Sequence, residues 1–354
     1  MTLKNRRWIS MSLTIKELAT ITGLSRGTFD RVINNRPGVS EESYKIAIEA
    51  ISKYGYTPNK MGKALAARKK QISVGVIVNS MHSDPYFADV CKGVEMAYQK
   101  VKDSGFKVIF KESGDARLEK ELDALKSVVN DGVSAIAFAP MNVDDIAAEI
   151  NKITDKGISI ITYGTDIADT SRLCFIGHDN IKSGRTSAQM LSGFIGGEGK
   201  VAIVGGLQNF QCHAERVRGI ESYIHEKCPN IEIVDVFDTM NEEFTSYLLV
   251  KKLLENNPDL KGLFIISRGI NGVVDAIKEA NFQGKLKIGS FDLPPEVIKY
   301  LNEDIITFSI DQKPSIFGEK IVNIFYDYLV NGVLPETDRI LTSTQIVVKE
   351  SLSN

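Results

Sequence analysis

The 354 residues exceed one typical core, and their composition is that of an ordered globular protein: 43% hydrophobic, 25% charged, a single Trp. Two or three folding units are expected, one of them small. No apolar run reaches the roughly 18 residues that span a bilayer, and "MTLKNRRWISMSL" has no apolar signal core behind its basic residues, so the chain is expected in the cytoplasm. The scattered Cys91, Cys174, Cys212 and Cys228 match no disulfide framework. The formal charge of -2 hides a division. Residues 1–70 carry 14 Lys and Arg against 5 Asp and Glu, a balance of +9, while the remainder carries 29 against 40, a balance of -11. A basic head of this kind suits a polyanion.

In the head, Thr14 and Glu17 have the spacing of a capping box, so a helix is expected from about Ile15, with Ile15, Leu18, Ala19 and Thr22 on one face and Gly23 ending it. Ser25 is a good N-cap for a second helix with Phe29, Val32 and Ile33 inward. Its opposite face holds Arg26, Gly27, Asp30, Arg31 and Asn34. Two short helices joined by a Gly-containing turn read as a helix-turn-helix, and a Gly in the second one suggests close approach to a base or phosphate. Ser40, Glu41 and Glu42 cap a third helix carrying Ile46, Ala47, Ala50 and Ile51 inward. "YGYTPNKMGKALAARKK" then has too little apolar surface to fold alone. Leu65 in it is a candidate minor-groove wedge.

From residue 72 short apolar runs alternate with amphipathic stretches: "ISVGVIV", "FKVIF", "VSAIAFAP", "ISIITYGT", "LCFIGHD". After "FIGGEG" the cycle restarts with "KVAIVGG", "IEIVDVFD", "GLFIIS", "KLKIGSFD" and "IITFSID". Near-continuous apolar strands between helices imply parallel sheets covered on both faces, hence an α/β body of two doubly wound subdomains. Ligands in such folds sit at the carboxyl ends of strands. The residues there, Asp84, Tyr86, Phe87, Asp166, Arg216, Arg268, Asp292 and Gln312, combine flat aromatics with bidentate polar groups, which suits a sugar.

Enzyme readings fare worse. No G-x-G-x-x-G follows a strand, "FIGGEGK" lacks the spacing of a P-loop, and the His178–Asp179 pair has no serine or cysteine elbow beside it. His225 and Cys228, with Cys212 and His213, lack the tight pairs of a zinc site. No catalytic residue, metal or cofactor is expected.

The ordered combination resembles the LacI/GalR family of bacterial transcription regulators from about residue 13 onward. "LTIKELATITGLSRGTFDRVINNRPGVSEESYKIAIEAISKYGYTPNKMGKALA" is similar to that family's headpiece and hinge, and the body to its periplasmic-binding-protein type I-like effector domain. The resemblance implies a helix-turn-helix headpiece over 12–57, a hinge over 58–70, an effector-binding and dimerisation domain over 71–354, and a homodimer on operator DNA. It implies DNA contacts for Thr14, Ser25, Arg26, Gly27, Arg31 and Asn34, with Arg26 and Gly27 setting base preference, and hinge roles for Asn59 and Leu65. Asp30 departs from the small hydroxyl residue common there. In the body it implies sugar-cleft roles for Asp84, Tyr86, Phe87, Arg216, Phe244, Asp292 and Gln312. Ser267-Arg268-Gly269 replaces a frequent Asn-Asp, and Gly164 stands where an acid is frequent, so the effector is expected to be a sugar or polyol, an acidic one included. The alternative is a cytoplasmic sugar-binding protein whose basic head docks a protein.

Overall fold

The computed structural model describes residues 13–33, 37–54, 56, 72–115, 117–206 and 209–352. In the head, α1 (Ile15–Thr22), α2 (Arg26–Ile33) and α3 (Glu41–Lys53) enclose Leu18, Phe29, Val32, Ala47 and Ala50. The expected caps form. The Glu17 amide donates to Thr14 Oγ1 at 3.3 Å, the Thr14 amide to Glu17 Oε2 at 2.7 Å, and Gly23 closes α1 at φ 74°. The Thr28 amide donates to Ser25 Oγ at 3.0 Å and the Ser43 amide to Ser40 Oγ at 3.3 Å. Ile46, expected inward, is exposed. Ala47 and Ala50 take the inner stripe of α3, because small side chains let helices approach closely.

The body runs β1 (Ser73–Val78), α4 (Pro85–Val101), β2 (Lys107–Glu112), α5 (Leu118–Asn130), β3 (Ala135–Phe138), α6 (Asp144–Asp155), β4 (Ser159–Tyr163) and β5 (Cys174–Gly177). It continues through α7 (Asn180–Ile195), β6 (Gly199–Val204), α8 (Gln211–Lys227), β7 (Ile231–Phe237), α9 (Glu243–Asn256), β8 (Leu260–Ile265), α10 (Ile270–Glu279), β9 (Lys287–Phe291), α11 (Pro295–Asn302), β10 (Phe308–Asp311), α12 (Pro314–Tyr326), β11 (Arg339–Leu341) and β12 (Gln345–Val347). All ten strands read from the sequence are present. With β11 and β12 they build two six-stranded sheets, β11-β5-β4-β3-β1-β2 and β12-β10-β9-β8-β6-β7, parallel except for β12 against β10. Each sheet carries a core on both faces, which is why β1 and β3 are almost wholly buried.

The subdomains are not consecutive pieces of chain. β5 belongs to the first sheet, but α7 behind it packs Ala188 and Leu191 into the second. β10 belongs to the second sheet, but α12 returns Phe317, Ile321 and Phe325 to the first. β11 and β12 then split between the sheets. Three crossovers result, at 178–179, 312–313 and 342–344. No helix among the described residues is long and apolar enough to cross a membrane.

Candidate functional site

The carboxyl ends of both sheets face each other across a cleft of about 760 Å³, within the range of small-molecule sites. From the first subdomain come Asp84, Tyr86, Phe87 and Thr165. The second supplies Arg216, Arg268, Phe291 and Asp292, and the second crossover supplies Gln312. Asp84 caps α4, accepting from the Tyr86 amide at 3.1 Å. That cap sets the first turn of α4, so Tyr86 and Phe87 meet edge to face with centroids 5.2 Å apart. Gly164 makes room for this arrangement. A Cβ there would fall 2.2 Å from the Tyr86 hydroxyl, so the phenol occupies the space that a side chain at 164 would need. Thr165, beside it in the wall, is buried and its hydroxyl is set against the Cys212 thiol.

Arg216 is clamped. Its guanidinium lies 4.3 Å from the Phe291 ring centroid, Nη1 donates to the Ile266 carbonyl at 2.8 Å, and Nε to Asn180 Oδ1 at 3.4 Å. The fork keeps N–H groups beyond these for a ligand. Asp292 holds a left-handed backbone at φ 65°, tolerated by Asp, and accepts from Gln312 Nε2 at 2.7 Å. Burial pushes its carboxyl up to about 6, against the pull of Arg216 and the Gln312 amide. Across the cleft mouth Arg268 Nη1 donates to Asp84 Oδ2 at 3.2 Å. Burial raises the Asp84 carboxyl, and Arg268 opposes the rise. The Cys212 thiol in the same wall is pushed up by burial and stays protonated.

Two expected cleft residues lie elsewhere. Asp166 is turned inward, taking a two-pronged grip from Arg172 at 2.6 and 2.7 Å and the Thr162 hydroxyl at 2.7 Å, with Arg339 at 3.7 Å. It ties the β4 turn together, and its neighbours Gly164 and Thr165 face the cleft instead. Phe244 is 71% exposed and stacks on Tyr247 with centroids 6.5 Å apart. Neighbours on a helix point about 100° apart, and Glu243 is the one that lines the cleft. Residues missed by sequence reasoning include Asn79 and Asp115, which obey the same strand-end rule, and Phe210, Met240 and Asn241, which carry no local signal. Among the described residues no group of three or more His, Cys, Asp or Glu could hold a metal ion.

On the head, Arg26, Gly27 and Arg31 are exposed on the face of α2 opposite buried Phe29 and Val32. The Thr14 and Ser25 hydroxyls are engaged as helix caps. A Cβ on Gly27 would meet only Ser25 Oγ, at an ordinary 3.6 Å, so nothing among the described residues requires glycine there. Asn34, Asn59 and Leu65 lie outside the described residues.

Residues 74–332 match the family described as periplasmic binding protein domain. Catabolite control protein A of Priestia megaterium is 26% identical over 256 residues, 72% of this chain and 74% of its own. The HTH-type transcriptional regulator CelR of Thermobifida fusca is 22% identical over 353 residues, 96% of this chain and 98% of its own. Among solved structures, an ABC transporter solute-binding protein from Burkholderia graminis in complex with D-arabinose aligns with a TM-score of 0.73 and 25% identity over 79% of this chain and 96% of its own. With that match over most of its length and helix-turn-helix elements in front of it, the chain belongs to the periplasmic binding protein domain family, in its LacI/GalR regulator branch.

Proposed function

We propose that the protein is a cytoplasmic, sequence-specific DNA-binding transcription regulator of the repressor type. A small neutral sugar or polyol, bound between its two α/β subdomains, controls its operator affinity, and the working form is a homodimer. The observation that carries the reading is the pairing, in one chain, of an exposed Arg26–Gly27–Arg31 helix face with a two-walled polar cleft. The relatives support it, being a catabolite control protein, a transcriptional regulator and a protein holding D-arabinose. Charge favours a neutral ligand over an acidic one. Seven carboxylate side chains line the cleft against three Lys or Arg, and Arg268, the cation that would have welcomed an acid, is already paired with Asp84.

Removing residues 1–70 and measuring DNA retention at two salt concentrations tests the DNA half. The full chain should bind with a steep salt slope and the truncated one should not. Equal retention by both would leave the basic head as a protein-docking module. Thermal-shift screening of matched neutral and acidic sugars tests the other half, with stabilisation expected from a neutral one.

A further inference from the structure

His178 sits in the first crossover, 1% exposed, and its ring touches both of the others. Nε2 lies 3.0 Å from the Gln312 carbonyl in the second crossover and Nδ1 2.9 Å from the Thr342 carbonyl in the third. A neutral imidazole has one N–H, so it can donate to only one of these two acceptors at a time. Burial holds the ring below its usual titration range, which favours that neutral form. The Thr342 hydroxyl is placed to serve either tautomer. It lies 3.0 Å from Nδ1, to which it can donate when the ring proton is on Nε2, and 3.2 Å from the Gly177 carbonyl, to which it can donate when the proton is on Nδ1. The three strands of a hinge thus meet at a ring with two hydrogen-bonding states.

The same ring is wired to the cleft by two routes. Gln312 presents its carbonyl to His178 and its side-chain amide to Asp292. Phe317 lies 5.1 Å from the His178 ring and 6.5 Å from that of Tyr86, centroid to centroid. One route reaches the wall of each subdomain. Coupling between sites needs an element with two discrete arrangements that a ligand can bias. We propose that His178 is the positioning residue of the hinge, which holds Thr342 in both tautomers, through its hydroxyl in one and its carbonyl in the other, but ties the first crossover to Gln312 in the Nε2–H tautomer alone, and so links cleft contacts to the relative orientation of the subdomains. The proposal rests on the reading of the cleft as a binding site only for what biases the ring, and the test below uses the unliganded full-length chain, so failure of the sugar assignment would not affect it.

Two measurements decide. Spin labels at Lys120→Cys on α5 and Lys252→Cys on α9, both exposed positions, report the inter-subdomain distance, the four native cysteines being buried. His178→Phe keeps the ring and loses both hydrogen bonds, and should change the ratio of short to long distances at least twofold, with His178→Asn restoring part of the difference. Thr342→Val removes the hydroxyl that serves Nδ1. In 15N-histidine-labelled chain it should move the His178 nitrogen shifts toward the Nδ1–H tautomer while the distance ratio shifts with them. Distances unchanged in a folded His178→Phe chain would overturn the proposal. If His178→Phe does not fold, Thr342→Val carries the test, and unchanged nitrogen shifts or distances there overturn it.

Discussion

Asp292 and Gly27 show how single residues set the response of each half. Asp292 titrates at about 6 in the folded chain against an ordinary 3.8. A carboxyl raised by folding contributes stability that is complete below 3.8 and is lost as pH climbs through 6. A sugar makes the opposite demand, because the ionised carboxylate is the form that accepts its hydroxyls. With only that fraction competent, lowering the pH from 7 to 5 should weaken a bound neutral sugar about tenfold. Asp292→Asn, weaker throughout, should lose this dependence; calorimetry at the two pH values checks it, and a flat wild-type profile would count against Asp292 as a ligand-gripping group. At Gly27 the expected effects diverge. Because a methyl group fits, Gly27→Ala should raise headpiece stability by up to about 1 kcal/mol in a thermal melt and yet weaken operator retention. A variant gaining both stability and affinity would show that nothing external uses that space.

Helix crossings fix where the cleft side chains stand. A Cβ at Gly184 in α7 would lie 2.2 Å from the Arg216 carbonyl, and one at Gly219 in α8 would lie 2.2 Å from the Ile181 carbonyl, so α7 and α8 touch backbone to backbone. Gly184→Ala must push α8 away and carry Arg216 with it. The expected cost is about 1–3 kcal/mol of stability, read as a lower Tm, with a loss of sugar affinity. An unchanged affinity would mean that Arg216 is held by Phe291 and Ile266 rather than by the crossing. At this scale the sequence was a good guide wherever the signal is local. The Thr14–Glu17 and Ser40 caps and the ten apolar strands depend on spacing and period alone. It failed where tertiary packing sets the phase of a helix, as at Ile46 and at Phe244, whose neighbour Glu243 faces the cleft. It failed again where a partner intervenes: Arg172 is six residues beyond Asp166, but nothing in the sequence says that the pair closes on itself.

For the whole molecule, the feature least legible was the interleaving of the subdomains. Strand composition announces two cycles and suggests two consecutive units, whereas β11 and β12 are three-residue strands with little apolar signal. α12 looks like any other amphipathic helix until Gly93 and Gly318 bring it against α4, where a Cβ on either would strike the other helix's backbone. Since α12 and β11 complete the first sheet after the second has been built, the two subdomains should unfold in one urea transition; two separated transitions by fluorescence and circular dichroism would contradict that dependence. The interleaving also dictates an order of events during synthesis. While the ribosome is still making residues 178–313, the first subdomain lacks Phe317, Ile321 and Phe325, and the apolar face meant for them stays open. A stalled nascent chain ending near residue 300 should therefore be cut by protease within residues 73–177, where the released protein resists. Until α12 is made the first-made half keeps that apolar face uncovered, the kind of surface on which chaperones act, and a message cut short before α12 would code for neither the completed cleft nor the second and third crossovers.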